Sequence, residues 1–141
     1  MITATGSRLP SCVMADAPAR FKDLCLDARD HQTLADWWCT ALGYVRRDAL
    51  EDAATPEDDE PRPTDWPVPI VDPTGSGPLM WIVPVPEPKI VKNRLHFDVL
   101  GDTAALLAAG ATMVRAQDDE IEWDVLADPE GNEFCVFAPE D

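Results

Sequence analysis

Two spacings of hydrophobic residues alternate along the chain. Leu24 and Leu26 alternate with Asp23, Cys25 and Asp27, a period of two that predicts a first strand over residues 21–28. From His31 the period lengthens: Leu34, Trp37, Trp38, Ala41 and Leu42 fall on one helical stripe, with Asp30 as N-cap and Gly43 as stop. That spacing makes the paired tryptophans core residues rather than a ligand box. A short strand at residues 44–47 follows, then strands at 66–72 and 79–85 around the turn Asp72-Pro73-Thr74-Gly75. The Pro-rich stretch 83–89 suits neither helix nor central strand and reads as an extended connector.

Beyond it the same order begins again. Leu95, Phe97 and Val99 alternate with Arg94, His96 and Asp98 over residues 92–100, giving a strand with one core face and one polar face that carries His96. Asp102 caps a short Ala/Leu helix ending at Gly110, and strands at about 111–116, 120–127 and 133–138 follow, the last two joined by Asp128-Pro129-Glu130-Gly131-Asn132. The Asp-Pro-x-Gly turns of the two halves correspond, as do their helix caps. The repeat predicts an α+β fold of two tandem βαβββ modules, residues 21–86 and 91–138, forming an open curved sheet around a central hollow.

Composition narrows the setting. With 141 residues, 45% of them hydrophobic, the chain suits one globular domain over residues 21–138, preceded by a flexible leader over 1–20 in which Met14 offers an alternative start. The net charge of −16 opposes phosphate backbones and anionic membranes, so nucleic-acid and membrane partners are not expected. Eight carboxylates and three prolines between residues 48 and 65 make that segment a solvated loop, without the glycine turn and ligand spacing of a calcium site. The four cysteines form no Cys-x-x-Cys pair and no signal segment precedes them, which predicts reduced thiols and a cytoplasmic location.

The stretches 92–98 (Lys-Asn-Arg-Leu-His-Phe-Asp) and 128–137 (Asp-Pro-Glu-Gly-Asn-Glu-Phe-Cys-Val-Phe) resemble the glyoxalase, bleomycin-resistance and extradiol-dioxygenase superfamily, the vicinal oxygen chelate proteins, and in particular its glyoxalase-like domains. In metal-dependent members a divalent ion sits in the hollow, held by His and Glu from the first and last strands of both modules. The resemblance carries those positions onto Asp23 and Met80, His96 and Cys135, with Glu133 read as facing away. One imidazole, one carboxylate, a thiol and a thioether suit hard octahedral ions poorly, so no metal is expected. Were an ion bound, Asp23, His96 and Cys135 would hold it in a zinc-like site.

The ligand pocket is therefore predicted around Asp23, Met80, His96, Cys135 and Trp123, with His96 the candidate acid or base, oriented by Asp98 or Asp23. Lys89, Lys92 and Arg94 form the one cationic cluster, either to hold an anionic ligand group or to neutralise carboxylates between modules. The leading reading is a glyoxalase-like small-molecule-binding protein without the usual metal centre, similar to the bleomycin-resistance type. Alternatives are a lyase, isomerase or dioxygenase using an altered metal site or a His96 base, and a protein-interaction module. The resemblance also implies a homodimer.

Overall fold

The computed structural model describes residues 17–50 and 62–140. Most of the expected leader, with Cys12 and Met14, and most of the acidic loop lie outside the described residues. The chain runs β1 (Leu24–Ala28), α1 (His31–Leu42), β2 (Val45–Arg46), a 3-10 turn at Arg47–Ala49, β3 (Val68–Val71) and β4 (Met80–Pro84). It continues with β5 (Asp98–Leu100), α2 (Thr103–Ala108), β6 (Thr112–Arg115), β7 (Asp124–Ala127) and β8 (Glu133–Phe137). Each half forms an open four-stranded sheet, in the orders β1-β4-β3-β2 and β5-β8-β7-β6. In both, the first strand pairs parallel with the last and the others pair antiparallel. The architecture is the tandem βαβββ arrangement.

The caps act where the sequence places them. Asp30 accepts from Thr33 N and Oγ1, Gly43 closes α1 in the left-handed region at φ 68°, and Asp102 accepts from the Ala104 and Ala105 amides. The strand expected over residues 92–100 is shorter than its alternation suggests. It begins only at Asp98, because the chain bends at Arg94–Leu95 and turns Leu95 out to 76% exposure. His96 consequently sits in the lead-in to β5.

The α1 stripe buries Leu34, Ala35, Trp37 and Trp38 in a core shared by both modules. Trp38 packs edge-on against Phe97 and Phe134, at 5.4 and 5.2 Å between ring centroids, both rings belonging to the second module. Its indole Nε1 donates to Asp128 Oδ2 at 3.0 Å, and Trp37 Nε1 donates to the Ala109 carbonyl at 3.0 Å. Leu24, Ala28, Met80 and Ile82 join this core from the first sheet.

The Asp-Pro-Glu-Gly-Asn-Glu run of the second module forms a clamp. The Asp128 carboxylate, 2% exposed, accepts from the amides of Glu130 and Asn132, from Asn132 Nδ2 and from Trp38. Burial pushes its pKa up, against the pull of these donors. Glu130 reaches the β1–α1 loop, accepting from the amides of Arg29 at 2.7 Å and Asp30 at 3.0 Å. Asn132 Oδ1 accepts from Asn93 Nδ2, while Glu133 accepts from Lys89 Nζ at 2.7 Å and from the Asn93 amide at 3.0 Å. One turn therefore fixes the second sheet to α1, to the β1–α1 loop and to the connector.

Candidate functional site

Side-chain parity decides which residues share the sheet faces turned away from the helices. In the first module Leu24 is in register with Met80 and Leu26 with Ile82, and these join the core; Cys25 is in register with Trp81 on the other face. Met80, 2% exposed, is thus a core residue and not a lining residue of the hollow. The hairpin turn of the first module is two residues longer than that of the second: Pro69 opposes Trp81 where Val125 opposes Cys135. Allowing one extra residue instead of two slips the register by one and selects the wrong face. The position equivalent to Cys135 is Trp81.

Asp23 lies with Trp81, whose Nε1 donates to its Oδ2 at 3.2 Å, and its carboxylate also takes the Lys22 ammonium. The hydrogen bond from Lys22, helped by its charge and by Trp81 and Cys25, holds the Asp23 carboxyl below its ordinary range despite some burial. Arg47 stacks over the Trp81 ring at 5.3 Å.

In the second module Asp98 is in register with Cys135, and His96, two residues earlier, falls beside both. His96 Nδ1 is 3.4 Å from Asp98 Oδ1 and 3.9 Å from Cys135 Sγ, and one ligand atom from each of the three residues lies within 4.8 Å of the others. His96 and Asp98 are exposed and Cys135 is buried. Burial pushes the Cys135 thiol up, the Asp98 charge and hydrogen bond push it further, and the Lys92 charge and Trp123 N–H pull it back. A raised thiol is a poor nucleophile at neutral pH. Trp123 packs against Phe137 at 5.3 Å, and its influence on the Cys135 thiol brings it into this group.

The structure therefore brings together His96, Cys135 and Trp123, adds Asp98, and leaves Asp23 with Trp81 and Met80 in the core. Among the described residues, His96, Asp98 and Cys135 are the one group of three metal-ligand types, and Asp23 is not in it. Glu133 does not face away from Cys135, since residues two apart on a strand point the same way; Lys89 and Asn93 occupy its carboxylate instead.

A cleft of about 440 Å³ opens between the modules. Leu24, Leu26, Val85, Leu95 and Phe97 supply its apolar wall, and Asp27, Asn93, Arg94 and Asn132 its polar groups. The cationic cluster divides here. Lys89 is spent on Glu133, whereas Arg94 has no hydrogen-bond or ion-pair partner among the described residues.

Paired βαβββ modules with this clamp define a protein of the vicinal oxygen chelate superfamily. The chain belongs to the glyoxalase-like domain family, whose model matches residues 23–137. No curated protein matches it in sequence. Among solved structures it is similar to a glyoxalase/bleomycin resistance protein/dioxygenase family enzyme from Burkholderia phytofirmans PsJN, with 18% identity, 80% of this chain and 93% of that chain covered, and a TM-score of 0.54. It is similar also to the trypanothione-dependent glyoxalase I of Leishmania major, at 15% identity, 85% and 86% coverage and TM-score 0.55. A glyoxalase/bleomycin resistance protein from Albidiferax ferrireducens T118 is similar at 14% identity, 86% and 100% coverage and TM-score 0.51. At these identities the likeness establishes the fold.

The divalent ion that metal-dependent members of the superfamily hold between modules does not fit these residues. Of the four positions, Trp81 offers no ligand atom, the Asp23 carboxylate is committed to Lys22 and Trp81, and Cys135 is a soft donor where a hard ion wants oxygen.

Proposed function

We propose that the protein binds a small organic molecule in the cleft between its modules, without the superfamily's two-module metal centre. The observation that carries this reading is the cleft itself. Its volume of about 440 Å³ lies in the range of small-molecule sites, and its lining combines an apolar wall with the Asp27 carboxylate and the Arg94 guanidinium, which has no ion-pair partner among the described residues. A ligand with an apolar body and polar or charged ends matches that lining. The buried, raised thiol of Cys135 gives no support to covalent catalysis from this fold.

The test is a thermal-shift screen of small carboxylates, amines and aromatic metabolites, followed by titration calorimetry of any hit. Cys25 lines the cleft and is exposed, so Cys25→Trp should fill it without disturbing the core. Hits should lose binding in Cys25→Trp and weaken in Arg94→Ala. Undiminished binding in Cys25→Trp would place the ligand elsewhere. The homodimer has its own test in sedimentation equilibrium, where a mass of two chains supports it and a mass of one chain refutes it.

A further inference from the structure

We propose that the second module alone forms a zinc-class metal site from His96 Nδ1, Asp98 and Cys135 Sγ, with the fourth position open to water or a ligand atom. His96 and Cys135 stand at superfamily metal positions, but the site draws its third ligand from Asp98 of the same module, where the superfamily arrangement uses both modules. It also differs from the cleft, whose lining contains none of the three residues.

The geometry carries the proposal. A tetrahedral zinc with Zn–N and Zn–O near 2.1 Å and Zn–S near 2.3 Å sets its ligand atoms about 3.4 Å apart for the N–O edge and about 3.6 Å for the N–S edge. The corresponding separations are 3.4 Å for His96 Nδ1 to Asp98 Oδ1 and 3.9 Å for His96 Nδ1 to Cys135 Sγ. Both contacts involve the same ring nitrogen, and one ligand atom from each of the three residues lies within 4.8 Å of the others. Ordinary chain geometry produces the arrangement. Residues 96 and 98 share a side of extended chain, and Cys135 is the cross-strand partner of Asp98.

The chemistry of the surroundings agrees. One nitrogen, one oxygen and one sulfur donor select zinc, or cobalt as its spectroscopic substitute, over magnesium or calcium. Trp123, the group beside Cys135 whose N–H favours the thiolate, packs against Phe137 at 5.3 Å and lends this side of the cluster an aromatic wall. The exposed His96 and Asp98 leave an entry path from solvent. On binding, the thiol proton passes to solvent and the sulfur bonds to the metal as thiolate, with no redox step.

The experiment is a titration of reduced, metal-stripped protein with cobalt(II), read by absorption, with zinc(II) competition. One equivalent of cobalt should give a sulfur-to-metal charge-transfer band in the near ultraviolet and the intense visible bands of a four-coordinate ion, both removed by zinc. His96→Ala and Cys135→Ser should lose the charge-transfer band, and Asp98→Asn should lose the one-equivalent end point. Asp23→Asn should leave the spectrum unchanged. Because His96 and Asp98 are exposed, their variants test the site without disturbing the core, and circular dichroism melts identify any variant that fails to fold. Absence of stoichiometric cobalt binding, a spectrum retained in His96→Ala, or one lost in Asp23→Asn would overturn the proposal.

Discussion

Trp38 and Asp128 are the residues on which both modules depend. The indole is almost completely buried, and its N–H supplies one of the donors that make burial of a carboxylate tolerable. Trp38→Phe retains most of the apolar surface and removes that donor. It should cost about 1–3 kcal/mol in denaturant unfolding, the scale for stripping a partner from a buried polar group. Glu133 gives a pH signature at the same scale. Burial pushes its carboxyl up, but hydrogen bonds from Lys89 and the backbone amides of Asn93 and Glu133, with the Lys89 charge, hold it at about 2 instead of its ordinary 4.5. A depressed carboxylate stabilises the fold above its unfolded pKa, and that contribution disappears as pH falls from about 4.5 to about 2. Thermal melts across this window should show Glu133→Gln less acid-sensitive than the parent protein. An equal slope would mean that the ion pair does not stabilise the fold.

At the scale of elements, the turn between β7 and β8 performs the most work for its length. Gly131 holds φ 89°, where a Cβ would meet nothing closer than Lys89 Cδ at 3.9 Å, so its constraint is conformational rather than steric crowding. Gly131→Ala should destabilise by about 1–2 kcal/mol, the cost of a side chain in the left-handed region. Much of this scale was legible in the sequence: the α1 stripe, both Asp caps and both Asp-Pro-x-Gly turns stand where spacing and turn chemistry put them. Face assignment in the first module was not. Turn length fixes parity, and the two additional residues between Asp72 and β4 exchange Met80 for Trp81. Periodicity also could not foresee the bend at Arg94–Leu95 that leaves His96 outside β5.

The whole molecule joins its modules through α1, the β7–β8 turn and the connector, and the cleft lies along that junction. The repeat made two modules readable from sequence. What they enclose was less so, because pocket lining depends on how the modules are set against each other, and the contacts that set them are long-range: Trp38 to Asp128, Arg29 to Glu130, Lys89 to Glu133. Asp98 could have been added to the candidate ligand set by its two-residue spacing from His96 and its strand context. The places of Trp81 and Arg94 depend on the three-dimensional setting of the strands and connector, which spacing along the chain does not encode. No helix among the described residues is long and apolar enough to cross a membrane.

The most direct measurement of the central claim is binding of a hit from the carboxylate, amine and aromatic screen, by calorimetry, to the parent protein, Cys25→Trp and Arg94→Ala. A ligand bound at one site per chain by the parent, lost in Cys25→Trp and weakened in Arg94→Ala, is the predicted result. A ligand bound equally by all three proteins, or no ligand across the panel, would contradict the assignment of the inter-module cleft as the binding site.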